Sequence, residues 1–361
     1  MENQHSPEPQ APASDVATAE PQYQALTFHG NSKDFFNIWI VNTLLTIVTL
    51  GIYSAWAKVR TNRYMYSNTE LNGHRFSYLA EPLQILKGRI IAAIVVGLYF
   101  LLSTFSPFAA GILILVMFAL TPALIVLGLR FSMRMTAYRN VRFGFSGSIG
   151  SAFKTFSLYP LVALLTLYLA MPWVLKKMDE FKFSHITFGQ KQFEGELRTS
   201  SYYSATFMSV LIAIPFLVVV GVLMTSMAPE EGAMLEDSFS MMSVVLFFVY
   251  IAFILCTSSI YQVIVRNHVF SQMALPETAK LHSNINFNSL FTLRLVNFLA
   301  VVCSLGLAIP WAKVRTMNYF TKHTHVATLP GADAILDQAA QDTNAIAEET
   351  ADMLDIDLSL G

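Results

Sequence analysis

Two short elements near opposite ends of the sequence carry the residues best suited to binding an anion. Each places a tryptophan two residues before a lysine and four before an arginine: Trp56, Lys58 and Arg60 in the first, and Trp311, Lys313 and Arg315 in the second. An indole followed by cations is typical of a segment that leaves a bilayer, where lysine and arginine also meet anionic headgroups. Three interpretations remain open: an interface anchor, a specific lipid headgroup site and a site for an anionic solute.

Two asparagines could make polar contacts inside a membrane. Asn42 and Asn297 each lie about a third of the way into a long apolar segment. A side-chain amide in hydrocarbon needs a hydrogen-bond partner, and such a bond contributes roughly 0.6 to 2 kcal/mol. The two amides could therefore bond to each other or to nearby backbone, or they could lie along a polar pathway.

The sequence contains few residues arranged for catalysis or for metal binding. His323 and His325 are the one closely spaced pair of metal-ligand type, but two imidazoles without a nearby acid or cysteine make a poor site. Gly-x-Ser-x-Gly, His-Glu-x-x-His and phosphate-binding Gly-Lys-Ser/Thr motifs are missing, as are acids inside the apolar segments. We therefore predict a protein that has no metal, no cofactor and no enzymatic activity.

The two cationic elements belong to a longer repeat. A shift of 255 residues without a gap places residues 51–61 on 306–316 and Asn42 on Asn297. A weaker third copy lies between them, because the 28-residue spacing from Phe28 to Trp56 recurs from Phe145 to Trp173. We interpret the three copies as internal repeats of one unit.

Composition places these repeats in a membrane. Hydrophobic residues are 54% of the chain, charged residues are 13%, and the mean hydropathy is +0.49. Seven apolar segments are recognisable, at about 36–56, 88–105, 109–129, 155–173, 205–227, 241–264 and 290–311. Alternating aromatic runs lie between them, and Asn72-Gly73 separates two such runs as in a β-hairpin. The sequence therefore predicts an all-α polytopic membrane protein with internal repeats and short β-hairpin pieces at the cytoplasmic junctions.

Charge is distributed unevenly along the chain. Residues 1–24 contain four acids and residues 327–361 contain eight, and neither tail contains lysine or arginine. The remaining 12 acids and all 23 cations give the core a net charge of +11. We predict a disordered acidic tail over 1–24, a membrane domain over 25–326 and a second acidic tail over 327–361. The basic core suits anionic membrane lipids as partners, and nucleic acid is not needed to explain it. The oligomeric state stays undetermined.

The distribution of charge does not fit a topology in which every apolar segment simply crosses the membrane. Junctions rich in lysine and arginine should be cytoplasmic, so the paired segments each cross the membrane and return. The single segments 36–56, 155–173 and 290–311 would then begin and end on the same side. Either they re-enter, leaving four true spans, or they cross, giving seven spans with one basic junction on the wrong side. We favour seven membrane segments and a cytoplasmic C-terminus, and leave the side of the N-terminus open.

A distinctive set of motifs follows one another in the first part of the chain: Phe28-His-Gly30, Val41-Asn42-Thr-Leu-Leu-Thr, Thr49-Leu-Gly-Ile-Tyr53, Trp56-Ala-Lys-Val-Arg60, Arg63-Tyr64, Asn72-Gly73, Arg75-Phe76 and Tyr78. The order of these motifs resembles the YjgN family of bacterial inner-membrane proteins. The resemblance covers about residues 25–325 and is most specific in the first 60 of these. It implies a location in a bacterial inner membrane and implies no reaction.

Two hypotheses of function follow. The preferred one is a multi-pass protein that transports or handles a lipid or small molecule through a cleft between its repeats. The alternative is a membrane scaffold or envelope-stress protein that does not transport, and whose basic face and acidic tails recruit partners.

Overall fold

A computed structural model describes residues 22–226, 235–329 and 331–332 of the chain. The helices in these ranges are α1 Ser32–Val48, α2 Ser54–Ser67, α3 Pro82–Phe105, α4 Pro107–Arg134, α5 Ile149–Phe153, α6 Tyr159–Leu165, α7 Met171–Ser184, α8 Thr199–Ser226, α9 Leu235–Gln272, α10 Phe287–Cys303 and α11 Ile309–Lys322; a π-helical turn, Lys154–Leu158, joins α5 to α6. The strands are β1 Tyr23–Ala25, β2 Thr27–Phe28, β3 Thr69–Leu71, β4 His74–Tyr78, β5 Thr136–Tyr138, β6 Val141–Phe145, β7 Ile186–Phe188, β8 Lys191–Gln192, β9 Ala274–Leu275, β10 Ala279–Ser283 and β11 Thr324–Thr328.

The three predicted single segments fold back on themselves as helical hairpins. Hairpin A comprises α1 and α2, hairpin B runs from α5 to α7, and hairpin C comprises α10 and α11. In hairpin A the ring of Phe35, near the start of α1, stacks on Tyr64, near the end of α2, at 5.3 Å between centroids. The two helices are therefore antiparallel, and both open ends of hairpin A lie at the same level.

The three hairpins turn in the same way. Two successive residues adopt positive φ at each turn: Leu50 and Gly51, Leu167 and Tyr168, and Leu305 and Gly306. At each turn the second residue donates its amide to the carbonyl five residues earlier, at 2.7 to 2.8 Å, which satisfies a carbonyl at the helix end. Leu50 and Leu305 are 95% exposed, so the tips of hairpins A and C are apolar and unpacked.

These turns favour the re-entrant topology of the two that the sequence left open. The helices of the single segments end at Val48, Leu165 and Cys303, and none continues as one helix through its segment. Within the described ranges four helices are long and apolar enough to cross a membrane, rather than seven. These are Pro82–Phe105, Pro107–Arg134, Thr199–Thr225 and Met242–Gln272. The single segments have the shape of re-entrant hairpins.

The strands form two sheets that join into one closed ring. One sheet has the order β2-β3-β4-β5-β6-β7-β8, and the other has the order β1-β11-β10-β9. At one joint the Leu26 amide, between β1 and β2, donates to the Thr324 carbonyl of β11 at 2.9 Å. At the other joint Glu194 pairs with Ala274 of β9 through two backbone hydrogen bonds of 2.8 and 2.9 Å. We call this structure the β-ring.

The predicted helical protein with short β-hairpin pieces is confirmed in part: the protein is mostly helical, but the β-ring joins the strands of the junctions into one structure. The predicted turn at Asn72-Gly73 does join β3 to β4, and Asn72 has a φ of 49°. The ring also extends past both predicted tail boundaries, because β1 begins at Tyr23 and β11 ends at Thr328. Most of the predicted tails, residues 1–21 and 333–361, lies outside the described residues.

The helical elements follow one another around the β-ring. Arg89 of α3 donates to the Ser54 hydroxyl of hairpin A, and Arg130 of α4 donates to the Gly147 carbonyl before hairpin B at 2.8 Å. Hairpin B packs on α8, α9 packs on hairpin C, and hairpin C returns to hairpin A through α11 and α1. Hairpins A and C, which are far apart in the sequence, are therefore neighbours in space.

Candidate functional site

The two predicted asparagines each join the helices of their own hairpin. Nδ2 of Asn42 donates to the Ala57 carbonyl at 3.5 Å, and Nδ2 of Asn297 donates to the Ala312 carbonyl at 3.3 Å. Asn42 is 4% exposed, and its buried Oδ1 has no hydrogen-bond partner among the described residues. Of the two contacts that the sequence allowed, the structure shows the contact with nearby backbone.

Asn297 has the more complete set of partners. Its Nδ2 also donates to the Thr316 hydroxyl at 3.0 Å, and its Oδ1 accepts from Nη1 of Arg315 at 3.4 Å. The Arg315 guanidinium lies 5.1 Å from the ring of Trp311. Hairpin C therefore links the Asn297 amide to the cation and the indole of its own cationic element.

The six predicted anion contacts do not converge on one point. In hairpin A, Lys58 and Arg60 are exposed. Nη1 of Arg60 donates to the Tyr53 hydroxyl at 3.4 Å, and the Tyr53 ring stacks on Trp56 with centroids 6.0 Å apart. In hairpin C, Nζ of Lys313 lies 5.6 Å from the centroid of Phe35 in hairpin A. Lys313 is therefore the predicted cation that faces the neighbouring repeat.

A cleft of about 560 Å³ opens where hairpin C meets hairpin A. Its polar residues are Asn297, Lys313 and Thr316, and Met65 of hairpin A and Met317 of hairpin C contribute to its apolar walls. Neither Lys313 nor Arg315 forms an ion pair with any described residue. The cleft thus combines a cation, an amide and a hydroxyl with apolar surface.

The β-ring encloses an apolar chamber that we did not predict. Its outer part, near the strand turns, has a volume of about 490 Å³. Large side chains from both sheets surround this part, among them Leu71, Tyr138, Phe188, Leu275 and Val326. Burial raises the pKa of the Tyr138 phenol, whose hydroxyl donates to the Leu71 carbonyl at 2.9 Å. The phenol is therefore already hydrogen-bonded to the ring itself.

The chamber continues toward the helices as an inner part of about 390 Å³. Phe76, Phe143 and Phe193 border both parts, so the two parts are adjacent in the ring. Met317 borders both the inner part and the cleft between hairpins A and C, so the cleft adjoins the inner part at this side chain.

The predicted histidine pair lies at the edge of the β-ring. Nδ1 of His323, at the end of α11, lies 2.8 Å from the Tyr319 carbonyl. His325 is on β11, 6.2 Å from the ring of His282 on β10. Burial lowers the pKa of His325, and His282 and His323 lower it further. The described residues hold no group of three or more His, Cys, Asp or Glu side chains placed to bind a metal.

The chamber was missed because its residues come from every junction of the chain. The alternating aromatic runs were visible in the sequence, and their period of two was the signal that one face of each strand is apolar. However, each run is only two to five residues long, so no single run revealed that all of these faces point to a common interior.

Comparison with known proteins supports the resemblance that the motifs indicated. The chain is 25% identical over 357 residues to inner membrane protein YjgN of Salmonella typhimurium, covering 86% of this chain and 90% of that relative. It is 26% identical over 362 residues to inner membrane protein YjgN of Escherichia coli O157:H7, covering 84% of this chain and 88% of that relative. No solved structure matches. A family model described as bacterial protein of unknown function (DUF898) matches residues 23–353, and the chain therefore belongs to that family.

Proposed function

We propose that this protein is a multi-pass inner-membrane protein that binds anionic amphiphiles at the cleft between hairpins A and C. The observation that carries this proposal is the position of Lys313, which borders the cleft beside Asn297 and Thr316 and forms no ion pair with a described residue. The relatives that are named inner membrane proteins support the membrane, and the four long apolar helices support multiple spans.

The hairpins would enter only the near leaflet. Large apolar side chains from Val41 to Ile52 are exposed around the tip of hairpin A, whereas Lys58 and Arg60 follow soon after the turn. Arg60 is about 9 Å along the axis from the first residue of α2 at 1.5 Å per residue. The hydrocarbon core is about 30 Å thick, so cations at headgroup depth leave the tip within one leaflet.

The charges support a cytoplasmic position for the β-ring and the C-terminus. Lys87 and Arg89 lie near the start of α3, and Arg130 and Arg134 lie near the end of α4, both next to the ring. The joint between these helices, at Ser106, is far from these cations and carries no charge. The positive-inside rule therefore orients the first pair of spans with the ring in the cytoplasm.

Lys313 is the residue that would select an anionic headgroup. It borders the cleft together with Asn297 and Thr316, and it has no acidic partner among the described residues. A lysine near a membrane surface contributes about 1 kcal/mol to the binding of anionic lipid. The apolar walls of the cleft, which include Met65 and Met317, would bury the part of a lipid chain next to the headgroup.

The test is the lipid that stays bound to purified full-length protein. Lys313→Gln should reduce retained anionic lipid about fivefold relative to zwitterionic lipid, because one lysine contact is lost. Lys58→Gln changes the equivalent residue of hairpin A, which lies outside the cleft, and should leave the ratio unchanged. A bulk lipid ratio in the unaltered protein, or equal losses in both variants, would contradict the proposal.

The scaffold alternative depends on the acidic tails, which lie mostly outside the described residues. A chain that ends at Ala332 distinguishes lipid binding from a scaffold function. We expect it to retain the same anionic lipid as the full chain, since no residue of the cleft is removed. A scaffold would instead lose its partners when the tail is deleted.

A further inference from the structure

We infer that the chamber of the β-ring is a second binding site, for the hydrocarbon chain of a single-chain amphiphile with an anionic head. The chamber is separate from the membrane-facing cleft, and the inference does not depend on lipid binding at Lys313. Three properties of the chamber carry it: the shape of the space, the chemistry of its wall and the charge at its mouth.

The shape suits a chain. The outer part of about 490 Å³ and the inner part of about 390 Å³ follow one another along the ring and meet at Phe76, Phe143 and Phe193. Each part alone is within the range of about 300 to 1,000 Å³ that is usual for small-molecule sites. Two such spaces in series suit an extended ligand better than a compact one.

The wall of the chamber is mostly apolar, and several of its hydroxyl groups are already hydrogen-bonded to the protein backbone. Three hydroxyls of the wall are already used by backbone carbonyls: Thr69 donates to Met65 at 2.8 Å, Thr136 donates to Ser132 at 3.1 Å, and Tyr138 donates to Leu71 at 2.9 Å. The remaining surface is mostly aromatic and aliphatic. Burying a hydrocarbon chain there removes its surface from water without leaving a polar group unpaired.

The outer mouth carries one cation that is not neutralised within the described part of the chain. Arg139 borders the outer part, is exposed, and forms no ion pair with a described residue. Two nearby acids already have cationic partners: Glu277 pairs with Lys191 at 3.2 Å, and Glu70 pairs with His29 at 3.0 Å and Arg75 at 3.8 Å. An anionic head at Arg139 would therefore be recognised by charge while its chain lies inside the ring.

One segment of the chain could compete for the same place. Ala332 borders the outer part, and the chain continues from it into a stretch that contains only acidic charges. If this stretch filled the chamber, the amphiphile would bind only after its removal. The experiment therefore includes a chain that ends at Ala332.

The test uses a saturated long-chain fatty acid with a diazirine at its far end, added to full-length protein in phosphatidylcholine nanodiscs. After irradiation, mass spectrometry should locate adducts on peptides that contain Phe143, Phe188 or Phe193, above the level on α3 and α4. Ala279→Trp fills the outer part and should remove these adducts. Should that variant fail to fold, Arg139→Gln decides the matter, because it removes the charge without filling the space.

Arg139→Gln should raise the concentration of fatty acid needed for half-maximal labelling about tenfold, and should not affect the matching alcohol. Arg142→Gln, an exposed change on the neighbouring strand that does not border the chamber, should have no effect. Adducts confined to α3 and α4 would overturn the inference, as would equal effects of both arginine variants. Labelling of the chamber only in the chain that ends at Ala332 would assign the site to the C-terminal segment instead.

Discussion

The side-chain amide of Asn297 lies 3.3 Å from the carbonyl oxygen of Ala312 and so joins the two helices of hairpin C. Asn42 makes the same contact with Ala57 in hairpin A, at 3.5 Å and at the same separation of 15 residues. The equivalent contacts explain why an amide stands at this position in both copies. They hold the two helices of each hairpin together near a tip whose leucines, Leu50 and Leu305, are 95% exposed.

The two asparagines should differ in their contribution to stability. Asn297→Ala removes the bonds to Ala312 and Thr316 and the contact with Arg315, so we expect a loss of about 1 to 2 kcal/mol. Asn42→Ala removes one long bond and an unpartnered buried oxygen, and should cost less than about 1 kcal/mol. Unfolding free energies in mild detergent would measure both. A larger loss for Asn42→Ala would contradict this interpretation of hairpin C.

Substitutions at the second residue of the hairpin turns should change stability in opposite directions in hairpins A and B. Gly51 has a φ of 91°, and no atom lies within 4 Å of the position that a Cβ would occupy there, so Gly51→Ala should cost about 1 to 2 kcal/mol through its backbone alone. Tyr168 adopts a φ of 65° at the same place in hairpin B, so Tyr168→Gly should stabilise the protein by up to about 1 kcal/mol. Thermal unfolding of both variants is the measurement. Destabilisation by Tyr168→Gly would show that contacts of the Tyr168 side chain contribute more stability than its positive φ costs.

The sequence predicted the long paired helices and the Asn72-Gly73 turn because each depends on residues close together in the chain. It left the single segments ambiguous, since a stretch of about 20 apolar residues can cross a bilayer or turn inside it. The turn depends on two residues with positive φ, and in hairpin B these are Leu167 and Tyr168, which no turn preference would indicate. Closure of the ring depends on Glu194 and Ala274, which are 80 residues apart.

That closure can be tested through a glycine beside it. A Cβ at Gly195 would lie 2.4 Å from the Gln272 carbonyl oxygen, so Gly195→Ala must displace the backbone next to the Glu194 bridge. We expect a loss of about 1 to 3 kcal/mol and faster hydrogen exchange at β9. Gly150→Ala is the matched control, because nothing lies within 4 Å of its position in α5, and it should be neutral or slightly stabilising. Equal behaviour of the two variants would show that the joint is not tightly packed.

A lower pH should reduce the stability of the folded protein through His325, which lies on β11. The pKa of His325 is lowered in the folded protein. As the pH falls below the ordinary histidine pKa of about 6.5, the unfolded chain therefore binds a proton more readily than the folded protein does. The folded protein is stable above that pH and loses stability below it. The thermal midpoint should therefore fall when the pH is lowered from about 7.5 to about 5.5. His325→Gln should reduce that fall, whereas His29→Gln, an exposed position paired with Glu70, should not. An unchanged pH dependence in His325→Gln would exclude His325 as its source.

The central claim is that the single apolar segments enter and leave the membrane on one face. After replacement of Cys256 and Cys303, single cysteines at Lys33, Ser67 and Thr104 can be labelled with a membrane-impermeant maleimide in inside-out and right-side-out vesicles. Lys33 and Ser67 flank hairpin A, and Thr104 lies at the far end of α3. We predict that the first two label from the cytoplasmic side and Thr104 from the opposite side. Labelling of Lys33 and Ser67 from opposite sides would contradict the account.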